Sequence, residues 1–368
     1  MATVSPQDYS TESNNGVAIE KELDLSLFDS CILYYFIAGS CFGGFLILIG
    51  LVGNGITIAI MGKERKKSAT INCLFMLAIA DTLVLLTYGF ILVPLGIRKY
   101  FYGWWNGHNY NHVTIIYVVE AARIFSQVSA FITMLVTFQR YVSVCQPHRA
   151  KQLCSVRLVN QLTVVSYVVS IIFFLPNFFT YYLEMNNDTH RYLTVSKALV
   201  LSKAFQILYS SVATVLVTYI IPISTLSFMS IQILRAMSAQ SKVMQQSHER
   251  SQARKDLTLS SVAIVGLFII CQSFNSANRV LMWVYEPYAA NARCGGPLQY
   301  FSIVPYLSMI MNSAANFGIY IVLAKGFRKK VIRLFVGQNR VAPQDSTEMI
   351  GDTVAGPSMA PTKKTTSE

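Results

Sequence analysis

Seven long apolar stretches, separated by short charged segments, are the feature that most restricts how this sequence can fold. A helix needs about 20 apolar residues to cross the hydrocarbon core of a bilayer, and every stretch is longer than that. They run from Ile32 to Met61, Thr70 to Ile97, Val113 to Phe138, Leu158 to Leu183, Ala204 to Leu234, Leu257 to Tyr285 and Pro297 to Ala324. Only 13% of the 368 residues are charged, whereas soluble domains carry about 25%. The sequence therefore predicts an all-α bundle of seven transmembrane helices.

The distribution of basic residues predicts the orientation of this bundle. The segments 62–69, 145–157, 237–255 and 325–337 hold 16 Lys and Arg, and the segments on the opposite side hold 7. Because basic loops stay in the cytoplasm, we expect the N-terminus outside and the C-terminus inside, in a multi-pass protein of the plasma membrane. The net charge of +12 lies in short loops between apolar runs, so we expect membrane lipids and not nucleic acid as its partner.

Four regions follow from the same pattern. Residues 1–30 form a polar extracellular tail, residues 31–324 the seven-helix bundle, residues 325–337 an amphipathic helix on the inner leaflet, and residues 338–368 a disordered cytoplasmic tail. The first apolar run has no basic flank before it, so we expect it to remain as a signal-anchor helix. Asn187 begins a glycosylation sequon in the second predicted outer loop, which agrees with the orientation.

An acidic residue lies midway along the second apolar run. An ionised carboxylate is costly at that depth, so Asp81 needs a cation, a proton or polar neighbours. The other helices offer polar side chains at similar depth, namely Asn54, Ser129, Asn312, Ser313 and Asn316. Two interpretations stay open: a hydrated cluster that holds a sodium ion, or a protonated Asp81 hydrogen-bonded to Asn and Ser without an ion.

Short motifs at matching places in several helices resemble those of rhodopsin-like (class A) G-protein-coupled receptors. They are Gly53-Asn54, Leu77-Ala78-Ile79-Ala80-Asp81, Gln139-Arg140-Tyr141, Pro222, Phe268-Ile269-Ile270-Cys271, the Asn-Ser-x-x-Asn-Phe-x-x-Tyr pattern of Asn312 to Tyr320, and Phe327-Arg328. The resemblance covers roughly residues 30–337. It implies that Asp81, Ser129, Asn312, Ser313 and Asn316 match a sodium site, with Asn54 nearby.

The same resemblance assigns roles at the cytoplasmic side. It implies that Arg140, with Tyr141 beside it, contacts a heterotrimeric G protein in the active receptor, and that Asn316 and Tyr320 rearrange during activation. Hydroxyl residues of the C-terminal tail would be phosphorylated to recruit arrestin. They are Ser346, Thr347, Thr353, Ser358, Thr362, Thr365, Thr366 and Ser367.

The chain also departs from the family pattern. Gln139 replaces the acid that restrains the arginine in the resting state, Gln272 stands where Trp is usual, Phe274 and Phe317 replace prolines, and Ser230 replaces a Tyr. The resting state is therefore expected to be restrained less firmly.

The usual outer disulfide of the family is also missing, because neither the top of the third helix nor the second outer loop contains Cys. Only Cys31 and Cys294 lie near the outer face. The first and seventh helices are neighbours in this family, so these two cysteines either form a bridge or remain free thiols.

A group of polar and charged residues in the outer half predicts a ligand pocket. Its members are Glu120, Arg123, Gln127, Gln272, Asn275, Asn278, Arg279 and Tyr306. Glu120 and Arg123 share one helix face, so they either meet the ligand or pair with each other. The family's monoamine-binding Asp is replaced by Ala122, and the seventh helix has no Lys for retinal.

The segment from Thr137 to Pro147 and the Asn-Ser-x-x-Asn-Phe motif resemble invertebrate FMRFamide-related neuropeptide receptors. This implies a short amidated peptide ligand with a basic residue near its C-terminus. Glu120 or Glu286 would pair with that residue, and Arg123 or Arg279 would bind carbonyl groups. The acidic N-terminal tail would attract a basic ligand, or it only solubilises the chain.

Three other classes of protein share parts of this pattern. A nematode-type chemosensory receptor for small molecules would have the same architecture. A transporter or channel would want further charged or broken helices along a pathway, and only Asp81 lies deep. An intramembrane enzyme would need paired Asp residues or a Ser/His constellation, and none of the seven apolar stretches contains His.

Overall fold

A computed structural model describes residues 29–101, 107–187, 190–197, 202–243, 248–285 and 294–336. Seven helices long and apolar enough to cross a membrane lie within these residues, which confirms the predicted architecture. They are α1 (Asp29–Gly62), α2 (Ala69–Tyr100), α3 (Asn109–Cys145), α4 (Val156–Phe174), α5 (Phe205–Ala239), α6 (His248–Val284) and α7 (Val304–Leu323). An eighth helix, α8 (Lys325–Val336), follows α7.

The bundle carries apolar side chains on its outer surface and polar side chains in its interior. Leu48 on α1 is 66% exposed and Ile172 on α4 is 64% exposed, whereas Asp81 on α2 is fully buried. Helices satisfy their own backbone hydrogen bonds, so they can present such a surface to lipid. The polar interior is where ligand and switch residues are expected in a membrane bundle.

Two glycines of α1 allow α7 to come unusually close. A Cβ atom added at Gly50 would lie 2.8 Å from the Cβ of Ala314, and one added at Gly53 would lie 2.7 Å from the Cβ of Phe317. Small residues permit this approach because no side chain separates the two backbones. Phe317, which stands where the family has proline, thus packs directly on α1.

The predicted end of the fourth helix was wrong. The α-helix stops at Phe174 and continues only as a 3₁₀ turn, Leu175–Phe179, because Pro176 cannot donate a backbone hydrogen bond. The aromatic and β-branched residues that follow form a hairpin. Its strands are β1 (Tyr181–Asn186) and β2 (Arg191–Ser196), paired antiparallel, and no strand was predicted here.

Other helix limits also differ from the prediction. The third transmembrane helix begins at Asn109 instead of Val113, so it includes His112, which lies outside the apolar run. The sixth begins at His248 and not at Leu257. The seventh begins at Val304 after a 3₁₀ turn, whereas the apolar run starts at Pro297.

The first and seventh helices are joined at one end of the bundle. Cys31 and Cys294 form a disulfide, and the hydroxyl of Tyr34 donates to the carbonyl of Tyr300 over 3.0 Å. Tyr35 likewise donates to the carbonyl of Gln299 over 3.0 Å. These contacts fix the segment that leads into α7.

Helix α8 packs against the other end of α7 and is amphipathic. Phe327 is buried and lies against the ring of Tyr320, with 5.7 Å between centroids. The ammonium of Lys330 contacts a carboxylate oxygen of Glu64 at 2.5 Å, while Phe335 is 69% exposed. Such a helix suits the boundary between lipid and cytoplasm. The two terminal tails, residues 1–28 and 337–368, lie outside the described residues, and so do the tail sites expected for arrestin.

Candidate ligand cavity and polar core

A cavity of about 80 Å³ opens between α2, α3, α5, α6 and α7. Seven of the eight residues predicted for the ligand pocket line it: Arg123, Gln127, Gln272, Asn275, Asn278, Arg279 and Tyr306. Eight further residues complete the wall: Tyr88, Ile91, Val119, Ala122, Ser126, Phe174, Thr218 and Pro305. Val119 and Ser126 lie on α3 within one helical turn of Arg123, so helical spacing on that face would have found them. The wall combines apolar surface with a few convergent polar groups, which is typical of a ligand site.

Glu120, the eighth predicted residue, is turned towards protein partners. A guanidinium nitrogen of Arg123 contacts Glu120 Oε1 at 2.5 Å, and Asn177 Nδ2 donates to Glu120 Oε2 over 2.8 Å. Of the two alternatives for Glu120 and Arg123, the structure shows the internal ion pair. Asn177 was missed because it lies in the 3₁₀ turn after α4, whose position relative to α3 no local pattern reveals. Glu286, the other predicted acid, lies outside the described residues.

The middle of α5 exposes backbone carbonyl groups to its neighbours. Pro222 has no N–H, so position 222 cannot donate to the carbonyl of Thr218 or, in the π-helical segment Leu216–Ile220, to that of Val217. Gln272 of α6 donates to the carbonyl of Thr218 over 3.2 Å, and Gln127 of α3 donates to that of Val217 over 3.4 Å. The glutamine that replaces the usual Trp therefore ties α6 to α5 at the floor of the cavity.

The hairpin is attached to the start of α3 by hydrogen bonds. The side chain of Asn109 donates to the carbonyl of His190 over 3.3 Å and accepts from the backbone N–H of Tyr192 over 2.9 Å. His112 Nδ1 and the hydroxyl of Thr194 are 2.6 Å apart. This polar attachment joins the same two elements that a disulfide joins in the resembled family. Asn187 is exposed at the hairpin turn.

Asp81 is satisfied by two donors from neighbouring helices. Ser129 of α3 donates to Asp81 Oδ1 over 2.7 Å, and Asn316 of α7 donates to Asp81 Oδ2 over 2.7 Å. Asn54 of α1 donates to the backbone carbonyl of Ser313 over 3.3 Å, and Asn312 is buried one turn before Asn316. The structure thus gathers the predicted polar residues into one cluster at the centre of the bundle.

The cluster offers oxygen atoms of the kind sodium prefers, but little room. The Oδ1 atom of Asn316 is buried without a hydrogen-bond partner, which provides one acceptor beside Asp81. The gap between Asp81, Asn54 and Tyr320 does not admit a sphere of the size of water. In this packed conformation Asp81 is hydrogen-bonded to Ser129 and Asn316, and both interpretations of the cluster stay predictions. Nowhere in the described chain do three or more His, Cys, Asp or Glu side chains gather as a metal site.

The cytoplasmic residues predicted for activation lie on α3 and α7. Gln139 is fully buried, and Thr70 of α2 donates weakly to its Oε1 over 3.4 Å. Arg140 is half-buried, and the hydroxyl of Tyr141 accepts from Gln146 over 3.4 Å. The hydroxyl of Tyr320 is buried and has no hydrogen-bond partner within the described part of the chain.

Comparison with known proteins identifies the class. Residues 53–320 match the family of seven-transmembrane receptors of the rhodopsin type, and the chain belongs to that family, whose members are signalling receptors and not enzymes. It is 22% identical over 298 residues to the FMRFamide receptor of Drosophila melanogaster, covering 78% of this chain and 52% of that receptor.

Two further relatives are similar. The FMRFamide peptide receptor frpr-18 of Caenorhabditis elegans is 19% identical over 290 residues, covering 78% of this chain and 66% of its own length. Galanin receptor 2a of Danio rerio is 23% identical over 315 residues, with 84% and 82% covered. The chain thus spans between half and two thirds of the length of the two FMRFamide receptors that it matches.

Proposed function

We propose that this protein is a G-protein-coupled receptor of the plasma membrane, with its N-terminus outside, that responds to a short amidated peptide. The observation that carries the proposal is the cavity between α2, α3, α5, α6 and α7, lined by Arg123, Arg279 and several amide side chains. Family membership supplies the receptor architecture, and the basic inner segments support the orientation.

The chemistry of the cavity supports a peptide over the rival ligands. Three amide side chains, Gln272, Asn275 and Asn278, line the α6 wall, and such groups pair well with peptide bonds. A lipid or retinal would leave these polar groups unsatisfied, which is costly. The FMRFamide receptors among its relatives favour an amidated peptide. None of the three relatives named above is a chemosensory receptor for small molecules.

Signalling would follow from a shift between two states. A ligand in the cavity contacts α3 and α6. Both helices are hydrogen-bonded to α5 beside the cavity, α3 through Gln127 and α6 through Gln272. If the bound state favours a different arrangement of these bonds, the cytoplasmic end of α6 moves outward. Arg140 then becomes accessible to the C-terminal helix of a G protein. The phosphorylated tail would recruit arrestin afterwards.

Two sites belong to the proposal but not to the signalling step. Glycosylation of Asn187 is supported by its exposure at the hairpin turn, and a shift in gel mobility after glycosidase treatment, absent in Asn187→Gln, tests it. Sodium binding at Asp81 would require Asn316 to turn away and open space. A higher melting temperature in sodium chloride than in choline chloride, lost in Asp81→Asn, would support it.

A peptide screen tests the function directly. Cells expressing the full chain receive a library of amidated peptides, and activation is recorded separately for several G-protein families. We expect responses to peptides that are abolished by Arg140→Ala at equal surface expression. Responses confined to small odorants would refute the peptide proposal. Responses that survive Arg140→Ala would refute the role of Arg140.

A further inference from the structure

The charged groups of the cavity do not balance. Two arginines, Arg123 and Arg279, line its wall, and no Asp or Glu is among the described residues that line it. Glu120 stands behind the wall, beside Arg123. One carboxylate faces two guanidinium groups, so the described residues around the cavity carry a net positive charge.

The single carboxylate is already committed. Glu120 Oε1 is bound by Arg123, and Glu120 Oε2 accepts from Asn177. Both oxygens accept hydrogen bonds within the protein, so the charge of Glu120 is directed mainly at Arg123, and Glu120 makes no ion pair with Arg279 in the described structure. This geometry argues against the sequence-based idea that Glu120 pairs with a basic residue of the peptide.

Arg279 is left without a counter-ion in the described structure. Its Nε atom is buried and has no hydrogen-bond partner, and it takes part in neither the ion pair of Arg123 with Glu120 nor that of Lys330 with Glu64. A guanidinium offers five donors in a rigid fork that matches a carboxylate. Arg279 as a whole is half-buried, and only its Nε is a buried atom without a partner, so the rest of the fork is available to a group in the cavity.

We infer that Arg279 binds an anionic group of the peptide ligand, a carboxylate that enters the cavity ahead of the rest of the peptide. The inference rests on the proposed function and specifies its ligand. A cavity of about 80 Å³ is small beside a tetrapeptide, so we expect one side chain or one chain end to enter it first. The carboxylate comes either from an Asp or Glu side chain of an amidated peptide or from a free C-terminus. Any basic residue of the ligand stays outside.

Matched tetrapeptides distinguish these sources. The parent is Phe-Met-Arg-Phe-amide, and variants carry Glu, Gln or Arg at each position in turn, each with an amidated or a free C-terminus. Binding is measured as the shift in melting temperature and as the Kd on purified full-length receptor. At the favoured position, we expect the peptide with Glu to bind about 10- to 100-fold more tightly than the peptide with Gln, because a hydrogen bond between charged groups contributes free energy of that size. If the anion is the chain end instead, the free acid gains that factor over the amide.

Three receptor variants decide the role of Arg279. Arg279→Gln removes the preference for the anion, and Arg279→Glu reverses it in favour of Arg at the same peptide position. Arg98→Gln is the matched control, because the Nε of Arg98 is also buried without a partner but Arg98 does not line the cavity; it leaves the preference unchanged. The empty receptor provides a second readout: Arg279→Gln leaves its melting temperature unchanged or raises it, because the wild-type guanidinium has no counter-ion in the described structure.

The outcomes separate this inference from the proposed function. If peptides bind the wild-type receptor but the ratio of Glu to Gln affinity is the same in Arg279→Gln, the inference is wrong and the peptide receptor stands. A lower melting temperature for empty Arg279→Gln would show that Arg279 has an internal role, which also overturns it. If no tetrapeptide binds the wild-type receptor, both proposals fail.

Discussion

Replacement of Gln272 by Leu tests how the cavity floor is built. In the structure Gln272 donates to the carbonyl of Thr218, which Pro222 deprives of its helical donor. The Leu side chain cannot donate, so the carbonyl is left buried and unsatisfied. The same substitution removes the Gln272 Oε1 atom, which is itself buried without a partner. The unsatisfied carbonyl lowers the stability, and the removal of the unpaired Oε1 raises it. The melting temperature of the single variant alone therefore does not separate the two effects.

A double-mutant cycle with Pro222→Ala isolates the carbonyl. Alanine at position 222 restores a backbone N–H, which can donate to Thr218 within the helix. An unsatisfied buried carbonyl costs about 1–3 kcal/mol, and this loss is present only when both Gln272 and the N–H of residue 222 are missing. The relief at Oε1 is equal in both backgrounds and cancels. We therefore expect a coupling energy of about 1–3 kcal/mol between the two sites.

The assay is thermal unfolding of the four proteins in detergent, without ligand. Gln272→Leu is expected to lower the melting temperature by roughly 2–6 °C more in the wild-type background than in the Pro222→Ala background, from about 2 °C per kcal/mol. Ser273→Ala is the matched control, because Ser273 bonds the side chain of Tyr219 across the same pair of helices and not a carbonyl of α5. Equal effects of Gln272→Leu in both backgrounds would refute the reasoning.

Three further perturbations probe separate parts of the bundle. Glu120→Gln leaves the charge of Arg123 unpaired. Because the Arg123 side chain is 33% exposed, we expect the free energy of unfolding to fall by about 1–3 kcal/mol, below the range for a fully buried pair. The double variant with Arg123→Gln should recover most of this loss, as measured by melting temperature. Gly53→Ala places a Cβ 2.7 Å from that of Phe317 and should destabilise by about 1–3 kcal/mol, whereas Gly55→Ala, which meets nothing within 4 Å, should be neutral or slightly stabilising; equal effects would contradict the close packing of α1 on α7. Peptide mapping with and without reduction should release separate Cys31 and Cys294 peptides only after reduction, and two free thiols before reduction would exclude the bridge.

Sequence patterns predicted most of what depends on depth within a helix. The cost of a carboxylate in lipid singles out Asp81, and residues at the same depth on other helices, such as Ser129 and Asn316, are its partners in the structure. Their position in the outer half of the bundle likewise predicted that Arg123 and Arg279 share one cavity. These predictions succeed because helical spacing and a bilayer of fixed thickness leave few alternatives.

Features that depend on backbone geometry were not predicted. Pro222 was visible in the sequence, but the use of the freed carbonyl of Thr218 by Gln272 depends on how α5 and α6 meet. The end of α4 was missed because the apolar run continues past Pro176 into a strand, and hydropathy does not distinguish the two structures. Asn177 acts on Glu120 from an irregular turn, where no periodicity indicates direction.

Nucleotide exchange on a purified G protein measures most directly whether this receptor transmits a peptide signal. The full chain in lipid nanodiscs is mixed with a tetrapeptide that binds it and, in turn, with G proteins of each major family. We predict that the peptide accelerates nucleotide exchange on at least one of these G proteins and that Arg140→Ala abolishes the acceleration. Arg140→Ala should leave the Kd of the peptide unchanged, because Arg140 lies far along α3 from the cavity. A peptide that binds with full affinity but accelerates exchange on none of the G proteins would contradict the account.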